Sequence, residues 1–189
     1  MGKLGASDRH AVAEEILRLL ATWVPMAQCT IFSFEGAGRP RTLAVGDRAR
    51  TRALPDISQA YVQRFYRLDG AQQAMQTHHQ SALRASPQQP HIVLHRQAAH
   101  AVEHPDYRQI CYEWPRVAER LAILSLHEGR RWLSVNLYRG LEHGLMTDAD
   151  AKVALSVLSS YDEKIRNAKI DLGKTYTNRF VDQALKTLK

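Results

Sequence analysis

The sequence predicts an α+β domain, a largely antiparallel sheet with helices on its faces. Three observations predict it. Strand-like runs occur as hairpins rather than in regular βα alternation, most clearly at 120–126 and 131–138 around Gly129. Amphipathic helical spacing appears near both ends of the 189-residue chain. The apolar content, 44%, is enough for a core without disulfide or metal staples, which excludes a disordered tail.

Each element has its own signal. Ser7 reads as an N-cap with Asp8 in the first turn, followed by Ala13, Ile16, Leu17, Leu20, Trp23 and Val24 at helical spacing until Pro25. Residues 29–34 and 41–45 read as strands, joined by a Gly- and Pro-containing turn. Pro55-Asp56 opens a helix with Ile57, Ala60, Tyr61, Phe65 and Leu68 on one side, and Asp69-Gly70 ends it. Residues 71–90, rich in Gln, His and Ser, read as a polar loop with at most a helical turn. A strand over 91–96 follows. A short helix then opens at Pro105-Asp106, places Tyr107, Ile110, Cys111 and Trp114 at i, i+3, i+4, i+7, and closes at Pro115.

In the strand 131–138, Leu133, Val135 and Leu137 face one way and Trp132, Ser134, Asn136 and Tyr138 the other. The first face suits packing on helices; the second is too polar for a plain core and too aromatic for plain solvent. Thr147 with Asp148 and Asp150 caps a long helix whose stripe is Val153, Val157, Leu158, Tyr161 and Ile165. Past Gly173 a second helical pattern runs through Tyr176, Phe180, Ala184, Leu185 and Leu188. N- and C-terminal helices packed together on one face of an antiparallel sheet are the plan of GAF and PAS sensor domains. The expected division is a sensory domain over 8–160 and a basic helical tail over 161–189.

The formal charge is +7, and +4 of it falls on residues 152–189, which hold six of the seven lysines. The body of the domain is therefore of ordinary charge, and a nucleic-acid partner can be argued only from the tail. Its bland reading is an amphipathic helix that packs on the first helix or pairs with a second subunit as a homodimer. Its sharper reading is a basic helix in which Lys174, Arg179, Lys186 and Lys189 contact DNA phosphates. No membrane or targeting segment is visible. Residues 16–27 are interrupted by Arg18 and Pro25, and Ala6 breaks the N-myristoylation pattern at Gly2. A cytoplasmic protein is the default, and two cysteines fit a reducing compartment.

No catalytic constellation is present, so an enzyme is not expected and no cofactor is called for. His78, His79, His91, His95, His100 and His104 crowd one region, and His91 and His95 share a strand face, but solvated loop histidines are the better reading than a metal site. Cys29 and Cys111 read as buried thiols, with a redox role as an alternative. What remains is a small-molecule pocket with Tyr107, Cys111 and Trp114 on the short helix and Trp132, Asn136 and Tyr138 on the sheet. The competing reading of the same residues is an ordinary aromatic core.

The runs 104–121 (HPDYRQICYEWPRVAERL) and 131–139 (RWLSVNLYR) resemble the GAF-like N-terminal sensor region of bacterial LuxR-type helix-turn-helix regulators. The resemblance covers roughly 8–160. It implies a signal-input domain that binds a small molecule or a protein partner and acts through its terminal helices, with DNA reached through a helix-turn-helix. The tail departs from that pattern: it is shorter than a complete DNA-binding domain of this type, and only a reduced one would fit within it.

Overall fold

The computed structural model describes residues 6–36, 38–48, 53–84, 91–160 and 163–167. Five strands, β1 (Met26–Glu35), β2 (Arg41–Asp47), β3 (Ile92–Ala98), β4 (Val117–His127) and β5 (Arg131–Gly140), form a sheet in the order β2-β1-β5-β4-β3. Every neighbouring pair is antiparallel, as the hairpin pattern predicts. The β4–β5 turn has Glu128 and Gly129 at positive φ, a conformation that Gly129 adopts without a Cβ clash.

One face carries α1 (Ala6–Leu20), α5 (Asp148–Ser159) and α6 (Glu163–Asn167). Ile16, Leu17 and Leu20 of α1 and Ala154 and Leu158 of α5 bury against Cys29, Ile31, Leu121, Ile123 and Leu137 of the sheet. Truncating one such leucine to alanine costs about 2–5 kcal/mol, through lost burial and the cavity left behind. α1 lies so close on β2 that a Cβ at Gly46 would sit 2.9 Å from the Ala13 backbone. The terminal helices thus share one face, as expected. The capping box at α5 is complete: Asp150 N donates to Thr147 Oγ1 at 3.2 Å, and Thr147 N donates to Asp150 Oδ2 at 2.7 Å.

The opposite face carries α2 (Leu54–Ala60), α3 (Gly70–Arg84) and α4 (Pro105–Arg108). α2 continues through a π turn, Tyr61–Phe65, and a 3₁₀ turn, Tyr66–Leu68; α4 continues through a π turn, Gln109–Glu113.

Several expectations are corrected. The start of the supposed polar loop is a 15-residue helix, α3, whose narrow stripe of Ala71, Ala74 and Met75 is enough to seat it on the sheet. Trp23 lies beyond the end of α1 and is 72% exposed. α5 buries Ala151, Ala154, Leu155 and Leu158, with Val153 and Val157 at the margin of the core. Leu68 faces solvent because the π turn before it shifts the helical phase and turns Tyr66 inward. Tyr161 and the pattern from Tyr176 to Leu188 lie outside the described residues, as do Lys174, Arg179, Lys186 and Lys189.

Candidate functional site

The pleat puts alternate residues of each strand on the α2–α4 face, and the register lines them up in rows. Gln28, Tyr138, Arg120 and Gln97 form one row across β1, β5, β4 and β3. The next row is Thr30, Asn136, Ala122 and His95; then come Phe32, Ser134, Leu124 and Val93. The last begins Phe34, Trp132 and Leu126. Polarity therefore falls steadily along this face, from a charged row to an aromatic one.

Arg120 anchors the polar end. Its Nη1 and Nη2 donate to Asp69 Oδ2 and Oδ1 at 2.6 and 2.5 Å, a bidentate pair in which both side chains are almost wholly buried. Nη2 also reaches Gln97 Oε1 at 3.1 Å and Nη1 reaches Tyr107 Oη at 3.3 Å. Asp69, placed between α2's 3₁₀ turn and α3, further accepts from Tyr61 Oη at 2.7 Å and from Ala71 N at 2.8 Å, and so caps α3. Tyr112 Oη donates to Gln97 Oε1 at 3.2 Å. Close approach at Gly70 locks the corner, since a Cβ there would lie 2.7 Å from His95 Nε2.

Burial by itself would raise the Asp69 carboxyl, but the Arg120 guanidinium and the bonds it accepts hold it down at about 2. Burial, with the Arg120 charge, lowers His95 to about 4. Burial pushes Tyr138 up to about 12 and raises Tyr61 and Tyr107 well above the usual phenol range. At neutral pH the cluster is one compensated ion pair among neutral phenols.

Above the first two rows a cavity lies between the sheet and the two π-turned helices. Its walls include Gln28, Thr30 and Tyr138 from the sheet, Ile57, Ser58 and Tyr61 from α2 and its π turn, and Tyr107, Cys111 and Tyr112 from α4 and its π turn, with Arg120 between them. It offers the centre of a water molecule about 20 Å³, room for one or two waters. Two buried polar atoms on this lining have no hydrogen-bond partner: Ser58 Oγ and Arg120 Nε. Buried polar groups are satisfied in the great majority of cases, and these two exceptions sit on residues of one small cavity.

Of the sequence-predicted wall residues, Tyr107, Cys111 and Tyr138 meet at this cavity. Trp114 does not: it is 63% exposed. The cause is the π turn, whose Trp114 N to Gln109 O bond spans five residues and carries the side chain off the stripe, leaving Tyr112 buried instead. Asn136 is buried but spends its amide within the sheet, accepting from Ser134 Oγ and donating to Thr30 O. Trp132 lies at the far end of the face, lining a separate groove. Sequence reading missed Asp69, Arg120, Ser58 and Tyr61. The available signal was Arg120 itself, a charge next to the apolar run Leu121–Leu124 of the strand.

Cys29 and Cys111 lie in the two cores on opposite sides of the sheet, and burial pushes both thiols up to about 12, so both stay protonated at neutral pH. His91 packs near His78 and Trp132, while His95 sits over Gly70. Among the described residues no group of three or more His, Cys, Asp or Glu is arranged to hold a metal ion, and no helix is long and apolar enough to cross a membrane.

No family model matches the chain, and no curated protein matches it. Among solved structures, it is similar to a domain of a protein described as a two-component sensor histidine kinase from Sinorhizobium meliloti 1021. Sequence identity is 16% and the TM-score 0.44, over 87% of this chain and 94% of that one.

Proposed function

We propose that this chain is a signal-input domain that binds a small molecule in the Arg120 cavity and passes the event to its terminal helices, as part of a regulator of the LuxR type. The pair of orphan donors, Ser58 Oγ and Arg120 Nε, carries this reading. Asp69 already neutralises the Arg120 charge, so the cavity favours an uncharged acceptor such as a carbonyl oxygen over a free anion. The aromatic walls suit an apolar body attached to it. The void as it stands is smaller than such a ligand, so binding moves α2 or α4 outward, at the π turns that interrupt both. Turns of this kind are frequent at functional sites. The resemblance of 104–121 and 131–139 to LuxR-type input regions supports the regulatory setting.

The route to the terminal helices runs through β4. Arg120 faces the cavity, and the residue before it, Glu119, faces α5, where it accepts from Met146 N at 2.6 Å. A shift of β4 at Arg120 therefore acts on the segment that leads into α5.

A thermal-shift screen of uncharged small molecules tests the reading. Hits should lose about tenfold or more in affinity in Ser58→Val, which removes one donor and fills the void. Absence of any stabilising compound, or hits that bind Ser58→Val as tightly as the parent chain, would sink it in favour of a protein partner or another site.

A further inference from the structure

At the aromatic end of this sheet face, α3 meets the sheet through histidines. His91 completes the last row: Leu126 N donates to His91 O at 3.1 Å, and the row then reads Phe34, Trp132, Leu126 and His91. The His91 ring meets Trp132 edge-on, with centroids 6.0 Å apart, and lies 5.9 Å from the ring of His78 on α3. The next residue of α3 makes the second contact, where Trp132 Nε1 donates to His79 Nδ1 at 3.3 Å. Met75 anchors the same stretch of helix in one buried cluster with Phe34, Leu126 and Trp132.

Both contacts require neutral rings. His79 accepts the indole proton on Nδ1, so a proton taken up there turns the acceptor into a second donor and strands the buried indole N–H. His91 Nε2 is buried with no hydrogen-bond partner, so a charge on that ring is uncompensated, and it faces His78. Burial, and then His78, accordingly hold His91 below the usual histidine range. The neighbouring charges among the described residues do not offset such a charge. α3 contains no Asp or Glu and ends on the exposed Arg84, and residues 85–90, which lead to β3, include no ionisable type. On the β4–β5 turn, Glu128 is exposed and paired with Arg130. Glu35, His127 and Arg131 stand on the opposite side of the sheet from Trp132. Asp69, His95 and Arg120 belong to the other end of α3. We infer that the second half of α3 is a pH-sensitive cover: protonation of His79 and of the His78–His91 pair releases it and uncovers Phe34, Trp132 and Leu126, while the sheet and the Asp69 end of α3 stay folded. The open arrangement takes up protons more readily than the closed one, so acid favours opening. The device needs no ligand in the Arg120 cavity.

The full chain carrying Trp23→Phe and Trp114→Phe, both at exposed positions, keeps Trp132 as its single tryptophan. Acrylamide quenching of its fluorescence is measured as pH falls from about 7.5 to about 5.5, across the ordinary histidine range, with far-UV circular dichroism alongside. Trp132 should be shielded at the higher pH and quenched severalfold more efficiently at the lower one, with the sheet signal retained. Adding His79→Gln and His91→Gln, which keeps an acceptor for the indole and removes two titrating rings, should leave Trp132 shielded throughout. Adding His95→Gln alone should leave the response in place. Equal shielding at both pH values, a response that survives His79→Gln with His91→Gln, or a sheet signal lost in step with the shielding overturns the inference.

Discussion

Glu119 and Arg120 are neighbours on β4, and because side chains alternate across a strand they enter opposite cores. Each makes a buried Arg–carboxylate pair, and the two pairs are built differently. On the terminal-helix side, Arg96 donates through Nε and Nη2 to Glu119 at 3.1 Å, through Nη1 to Asp148 at 3.3 Å, and through Nη2 also to Met146 O. Every nitrogen of that guanidinium is used, and Glu119 in turn holds Met146 N. On the other side Arg120 is as deeply buried and lines a small cavity, yet its Nε has no partner. The saturated pair acts as a latch for the chain entering α5; the unsaturated one has spare capacity. Complete satisfaction fits a structural pair; under the function proposed above, the incompleteness beside the cavity is what a ligand would complete.

The largest expected effects come from removing one carboxylate of each pair. Asp69→Ala leaves the buried Arg120 charge with only Gln97 and Tyr107, neither of them ionised, and should destabilise the domain by about 3–5 kcal/mol in urea unfolding. Glu119→Ala leaves Arg96 with the half-exposed Asp148 and the Met146 carbonyl, so its cost should be smaller. A larger loss for Glu119→Ala than for Asp69→Ala would reverse the assignment of the two pairs. Arg120→Met with Asp69→Asn should recover much of the loss, since a matched neutral pair carries no stranded charge.

Acid unfolding sharpens the same contrast. His95 is held neutral to about 4 in the fold against 6.5 when free. The unfolded chain therefore takes up a proton first, and stability falls as pH drops from about 6.5 to 4, by about 3 kcal/mol. Asp69, at about 2 against 3.8, contributes stability above 3.8 that is lost as pH falls through about 2, roughly 2 kcal/mol. His95→Gln should flatten the upper window and leave the lower one. A stability curve for His95→Gln that matches the parent between pH 6.5 and 4 would remove His95 from this role.

The sheet, its hairpins and the helical face built on Leu133, Val135 and Leu137 were legible, because alternation over ten residues of β5 admits one orientation once an apolar face is seen. The Thr147 cap was legible for the same local reason. α3 was not: its stripe is two alanines and a methionine in a Gln- and His-rich run, and the sheet rather than the sequence pattern completes its burial. Trp114 was misplaced because 3.6-residue periodicity carries no sign of a π turn, and Tyr112 was overlooked for that reason too. Arg120 was read as the first residue of a strand, where charge is unremarkable; β4 begins at Val117, which puts Arg120 inside. Asp69 was seen as a helix end, which it is, but its counter-ion lies 51 residues away and no local spacing links them.

The smallest prediction turns on the loss of a single hydroxyl from each side. Thr147→Ala removes an acceptor that caps Asp150 N and should cost about 1 kcal/mol. Ser58→Ala removes a buried hydroxyl that has no partner, so the unliganded domain should gain about 1 kcal/mol, the penalty for a desolvated, unpaired group. The two substitutions are similar in size and opposite in sign, and unfolding in the absence of any added compound reads both. A loss in Ser58→Ala as large as that in Thr147→Ala would mean that Ser58 Oγ is already satisfied by water in the cavity. The cavity would then be another closed part of the core, like the latch beneath it, and the asymmetry between the faces of β4 would lose its functional meaning.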